Sequence, residues 1–241
     1  MKSDRVFYTS AAGVNLLIMA VGFWPYYTAG RGEGGRVIDP ALVPTVFVHG
    51  MSITAWYGFS LLQSLLIAVK KRRVHLMLGW VAVALAPVIA VSGALVAVRS
   101  ARAAPPAMVF FGMPYRSDFV LVMLTEVTVF TACVMTGLLT RKRPEVHRAM
   151  MLSASLSLLL GATTRIPWLL AFYGGDGSPV GFFGPVFTLG LLLLLVNSLR
   201  RRAFDRWFAT ALGGTITLYL SAMVLGATGA WHQIAATLLR T

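Results

Sequence analysis

Seven stretches of this chain are long and apolar enough to cross a bilayer, and they leave little length for anything else. They are 8–28, 42–69, 75–98, 118–139, 149–173, 180–199 and 207–230. A helix needs about 20 mostly apolar residues to cover a hydrocarbon core of about 30 Å. Inside that core every backbone N–H and C=O must be paired within the protein, which leaves helices or a closed barrel. The stretches lack the period-two alternation of barrel strands. The sequence therefore predicts an all-α fold, a seven-helix transmembrane bundle that forms one domain over residues 1–241. Composition agrees: 57% of the 241 residues are hydrophobic and 12% are charged, where soluble domains carry about 25% charge. A soluble enzyme, a disordered chain and a nucleic-acid-binding domain are excluded on that ground.

The net charge of +13 is then read against lipid. Lys2, Arg5, Lys70, Lys71, Arg72, Arg73, Arg141, Lys142, Arg143, Arg148, Arg200, Arg201, Arg202 and Arg206 fall on one side of the predicted bundle. Arg31, Arg36, Arg99, Arg102, Arg116 and Arg240 fall on the other, and Arg165 lies within a span. Basic loops stay in the cytoplasm, so the N-terminus and the three basic turns are expected there, in a multi-pass protein of a bacterial inner membrane. The partner these turns imply is the anionic lipid surface rather than nucleic acid. Trp24, Pro25, Tyr26 and Tyr27 close the first span as an interface belt, not as a signal-peptide cleavage site. An apolar patch at 108–113 is expected to lie on the outer membrane surface. The lone Cys133 excludes an internal disulfide.

A repeat runs through the hairpins. The second and fourth spans each end in a basic turn followed by a Val-His pair, Val74-His75 and Val146-His147. The third basic turn has Asp205 where the histidine would stand. Helical hairpins repeated about the membrane normal occur in some transporters.

Charges at membrane depth are costly, by about 2.5–3.5 kcal/mol on insertion scales. Glu126 and Arg165 are the two candidates, each roughly 10–12 Å inside the outer end at about 1.5 Å per residue. They lie on spans expected to be antiparallel neighbours, and an ion pair is the cheapest arrangement. It reads either as a buried proton or ligand site or as a structural pair. His49 begins a heptad-spaced row with Trp56 and Gln63. Asp118 starts the fourth span. His49, Asp118, Glu126, Arg165 and Gln63 thus form the candidate buried polar cluster; its spacing matches no metal motif, and no metal site is expected.

His75 and His147 stand at equal depth on two helices. Two axial imidazoles are what a b-type haem needs, with Arg165 as a candidate for a propionate or a quinone oxygen. The plainer reading is of interfacial residues that fix the span ends. The lysines all lie in turns or the N-terminus, which excludes a retinal Schiff base. No phosphate-binding glycine loop, His-Glu-x-x-His zinc site or serine-hydrolase elbow is present.

His49, Trp56 and Gln63, then Val74-His75-Leu76-Met77-Leu78-Gly79-Trp80, resemble a widespread family of uncharacterised bacterial polytopic membrane proteins. So does Arg143-Pro144-Glu145-Val146-His147-Arg148-Ala149-Met150-Met151, ending at Arg165-Ile166-Pro167-Trp168. The pattern is loosely similar to DUF2306-type predicted membrane proteins. The resemblance implies a bundle architecture and gives weight to His49, His75, His147 and Arg165; Glu126 lies outside it. Three functions remain open: a non-catalytic accessory or binding subunit of a membrane complex, a redox protein holding haem b or quinone, and a transporter of a small solute or protons.

Overall fold

The computed structural model describes residues 2–32, 35–105, 116–175 and 178–240. Over these residues the chain is helical, apart from turns and a single bridge between Arg31 and Val37. The helices are α1 (Lys2–Gly22), α2 (Trp24–Ala29), α3 (Val43–Ala68), α4 (Arg72–Ala103), α5 (Arg116–Leu139), α6 (Pro144–Ser157), α7 (Leu160–Thr163), α8 (Pro167–Phe172), α9 (Pro179–Arg201), α10 (Arg206–Gly226) and α11 (Gly229–Leu238). Six are long and apolar enough to cross a membrane: α1, α3, α4, α5, α9 and α10. The patch expected at 108–113 lies outside the described residues.

Two expected spans are interrupted. The first, 8–28, stops at Gly22. Pro25 at the start of α2 lacks the N–H that a continuous helix would bond to residue 21, so the chain turns at Phe23 and restarts. The fifth, 149–173, is not one long helix but the pieces α6, α7 and α8.

The cause of the second interruption is side-chain competition for backbone groups. Trp56 and Tyr57 of α3, 1% and 0% exposed, reach into α6. The Trp56 indole N–H donates to Ser155 Oγ at 3.1 Å, and the Tyr57 hydroxyl donates to the Ser155 carbonyl at 2.7 Å. That carbonyl is the one Leu159 N–H would use in a regular helix; Leu159 N–H bonds Leu156 O at 3.1 Å instead. A side chain entering the i→i−4 ladder kinks a helix. Ser157, Thr163 and Thr164 add to this by donating to the carbonyls three residues back. Pro167 then forces Ile166 into an extended conformation and ends the segment.

Irregular backbone at membrane depth is tolerated where protein surrounds it. That is its setting here: Leu152 to Leu160 and Ala162 to Thr164 are all buried, with α1, α3, α5, α9 and α10 around them. Close approach is part of the packing. A Cβ on Gly22 would lie 2.8 Å from Ala162 Cα and would overlap its carbonyl. An aromatic layer of Trp56, Phe130, Phe182, Phe183 and Tyr219 completes the centre.

Contacts gather the basic turns at one end of the bundle. Asp4 of α1 accepts from Arg148 at 3.2 Å and from Arg200 at 2.7 Å. Each turn is also clasped by a polar residue at or near the start of its following helix. His75 is held by the Gln63 side chain of α3, whose amide donates to the His75 carbonyl at 3.2 Å, and His147 Nδ1 lies 2.8 Å from the Gly137 carbonyl. In the third turn Asp205 accepts from Asn197 Nδ2 at 2.6 Å and from Phe208 N–H at 3.2 Å. The repeat read from the Val-His pairs thus has a physical counterpart, a hook back onto the preceding helix, for which an aspartate serves as well.

Candidate functional site

The end opposite the basic turns holds the main candidate. α3 contributes His49, α4 Ile89 and Gly93, α5 Glu126 and Phe130, and the α6–α7 turn Leu158 to the wall of a cavity of about 60 Å³. Its two ionisable residues come from different helices and face an otherwise apolar lining. At 10–15 Å³ for one water centre, it has room for about four waters or a guest of similar size.

His49 is fixed by its second partner. Its Nδ1 lies 3.1 Å from Ser92 Oγ, and that hydroxyl donates to Ile89 O at 3.3 Å. With the serine proton so directed, the network gives the imidazole proton to Nδ1 and leaves Nε2 as the basic nitrogen. Gly93 makes room for the ring: a Cβ there would lie 3.0 Å from His49 Cε1 and 3.1 Å from Val127 Cγ2.

Glu126 and Arg165 do not meet as the expected contact pair. Among the described residues no ion-pair contact within 4 Å joins them. Arg165 sits in the non-helical segment between α7 and α8, which turns it toward the end of α1. Its guanidinium lies 4.8 Å from the Phe23 ring centroid and donates to the Gly161 carbonyl. Its charge still reaches both His49 and Glu126, so the three belong to one electrostatic group.

The other two members of the expected cluster lie elsewhere. Asp118 faces His232 of the C-terminal helix, with 3.6 Å between Oδ1 and Nε2. The reason is the turn at Ala227, which folds α11 back against the start of α5 and docks the Trp231 indole on the Ser117 carbonyl at 3.1 Å. Gln63 lies two helical heptads below His49, at the basic end beside His75. With its amide nitrogen toward His75, it donates to the His75 carbonyl at 3.2 Å and to Nδ1, and accepts from Gly79 N–H at 3.2 Å.

His75 and His147 do come together, with ring centroids 6.4 Å apart and planes at 86°. The two imidazoles are the residues that would hold a haem iron, which would take one nitrogen from each side. The proton positions suit that role unequally. His147 gives its Nδ1 proton to Gly137 O and presents a basic Nε2, as a ligand must. The Gln63 amide donates to His75 Nδ1, which puts the His75 proton on Nε2. Among the described residues no group of three or more metal-ligating side chains occurs.

Sequence reading missed Ser92, Tyr57, Tyr219 and Asp4. Hydroxyls in apolar helices and a near-terminal aspartate give no periodic signal; only their partners across the bundle make them visible. The chain matches no protein family, no curated protein and no solved structure. What the fold defines is therefore a class alone: an all-helical chain with six helices of membrane-crossing length and composition.

Proposed function

We propose that the protein is a multi-pass integral protein of a bacterial inner membrane that serves as a non-catalytic binding subunit. It crosses seven times, with α6–α8 as the fifth crossing and the N-terminus and basic turns in the cytoplasm. The excess of basic residues at that end supports the orientation. Its guest is a small polar molecule held in the His49–Glu126 cavity.

One observation carries the reading: two ionisable side chains from different helices line one cavity of about 60 Å³ at membrane depth. Ionisable groups there are costly to insert and mark ligand or ion sites. His49 offers an acceptor nitrogen, Glu126 an oxygen pair, and Arg165 a balancing charge. A neutral or cationic guest of about four heavy atoms satisfies both groups without bringing a second buried anion.

Native mass spectrometry of the protein in mild detergent tests this. The expected spectrum carries a small-molecule adduct that is lost in the variant Glu126→Gln with His49→Phe, and a membrane partner that stays bound to wild type. A spectrum of the bare chain alone, at all detergent concentrations, would refute the proposal.

The closeness of His75 and His147 favours one second reading, a b-type haem between α4 and α6. An optical spectrum of the same sample decides it, since haem gives a Soret band that His147→Ala removes.

A further inference from the structure

Between the basic end and the His49 cavity lies a row of buried polar groups that the binding role does not use. Asn15 is 0% exposed, and neither its amide nitrogen nor its oxygen has a hydrogen-bond partner among the described residues. The same is true of Ser153 Oγ and the Tyr219 hydroxyl, in residues 3% and 1% exposed, while the Tyr8 hydroxyl lies beside Asn197. A buried polar group without a partner costs about 1–3 kcal/mol. Lipid supplies no partner, so such groups inside one bundle call for an explanation.

Their placement gives one. Helices α1 and α6 run side by side in the same direction. Arg148 lies 5.4 Å from the Tyr8 ring centroid, and Gly22 abuts Ala162. Both contacts pair a residue of α1 with the residue 140 positions on, which brings Asn15 level with Ser155, between Ser153 and Ser157. Ser153, Ser157 and Thr215 line a second cavity of about 10 Å³, the space of about one water centre. Ser157 and Thr215 donate to their own helices' carbonyls, which leaves their oxygens free to accept. A water there has three partners, the number buried waters typically hold. Tyr219 stands one turn beyond Thr215 on the same face of α10, and α10 packs against α5, which carries Glu126. At the other end Tyr8 lies one turn from Asp4, which Arg148 and Arg200 hold.

We propose that this row is a proton relay across the bundle, from Asp4 and Tyr8 past Asn15 and the Ser153–Thr215 water site to Tyr219 and Glu126. The further activity is thus proton translocation, and it rests on the reading of the His49–Glu126 cavity as the working site. A proton entering from the cavity forms an O–H bond on the Glu126 carboxylate. It passes to the Tyr219 oxygen or to a water as that group releases its own proton to the next oxygen. Only O–H bonds form and break, no heavy-atom bond changes, and no oxidant or reductant is required. The Asn15 amide orients the intervening waters rather than carrying the proton.

The test uses the full chain in vesicles of phosphatidylethanolamine and phosphatidylglycerol containing a pH-sensitive dye, with a potassium–valinomycin potential as the driving force. Wild type is expected to conduct protons above protein-free vesicles. Glu126→Gln, Tyr219→Phe and Ser153→Ala are each expected to lower the flux about tenfold or more. Thr128→Val, on the exposed face of α5, should conduct as wild type does. Wild-type flux equal to that of empty vesicles would overturn the relay, and so would Tyr219→Phe and Ser153→Ala that conduct normally. Infrared spectroscopy gives a readout independent of reconstitution. In samples acidified until Glu126 carries a proton, a protonated-carboxyl band absent from Glu126→Gln should shift in Tyr219→Phe, and an unshifted band would also overturn the relay. Flux without a bound guest in native mass spectra refutes the binding role alone; a bound guest without flux refutes the relay alone.

Discussion

Replacing Gly22 by alanine probes the contact that holds the broken segment in place. The added Cβ would sit 2.8 Å from Ala162 Cα and would overlap the Ala162 carbonyl. Ordinary contact begins at 3.4 Å, so α1 and α7 must separate by more than half an ångström. The atoms in the way are backbone, and no rotamer change absorbs the clash. Overpacking costs about 1–3 kcal/mol where side chains can yield, so the upper end applies against main chain. The gain from removing a helical glycine, about 0.5–1 kcal/mol, offsets part of it. The net loss is about 2 kcal/mol. Gly13→Ala on the same helix is the control: nothing lies within 4 Å of its Cβ position, so it keeps only the gain. At about 2–4 °C per kcal/mol for a chain of this size, Gly22→Ala should melt about 4–8 °C below wild type and Gly13→Ala at or above it. Cys133 is the lone cysteine and is 8% exposed, so a thiol-reactive fluorophore added during heating reports unfolding directly. Equal midpoints for the two variants would refute the account of how α7 is seated.

Asp205→Ala should be the most damaging change at the basic end. It removes the cap on Phe208 N–H and leaves the buried Asn197 amide without its 2.6 Å acceptor, a loss of about 2–4 kcal/mol that the same melting assay reads. Gly93→Ala must displace both the His49 ring, 3.0 Å from the new methyl, and Val127, 3.1 Å from it, so the melting midpoint should fall by about 2–8 °C. It should also abolish the small-molecule adduct in native mass spectra; an adduct of unchanged intensity would sink that expectation. Gln63→Leu removes the donor at His75 Nδ1, so nitrogen NMR of histidine-labelled protein should show the His75 proton moving from Nε2 to Nδ1, while His147, bonded to Gly137 O, keeps its pattern.

The positions of the long helices were legible because hydrophobic length is a one-dimensional property, and α3, α4, α5, α9 and α10 lie where the apolar stretches place them. The break at Leu158–Leu159 was not. Its cause is the Tyr57 hydroxyl on the Ser155 carbonyl, a contact between residues that no periodicity relates; only the density of serine and threonine from 153 to 164 hinted at competition for the backbone. His49 and Glu126 were grouped by depth, and depth also grouped Asp118 with them. Depth carries no azimuth, however, and Asp118 turns toward His232 because α11 folds back at Ala227. The heptad from His49 to Gln63 failed for a related reason: two heptads span about 21 Å at 1.5 Å per residue, most of a membrane, so residues on one face need not share a site.

The same break explains why polar groups can lie so deep in this bundle. A continuous fifth helix would have satisfied its own carbonyls and offered α1 and α3 only side chains. Once Trp56 and Tyr57 draw on Ser155, the segment from 157 to 166 needs surrounding protein to pair its backbone, and it continues the fully buried run of Leu152 to Leu160. That enclosure shields Asn15 and Ser153 from lipid on one side of the break. On the other side Arg165 lies against Phe23 and the Gly161 carbonyl, and Glu126 lines the cavity with His49. A carboxylate at that depth is costly to insert, which is why the proposed guest and proton are placed at this cavity.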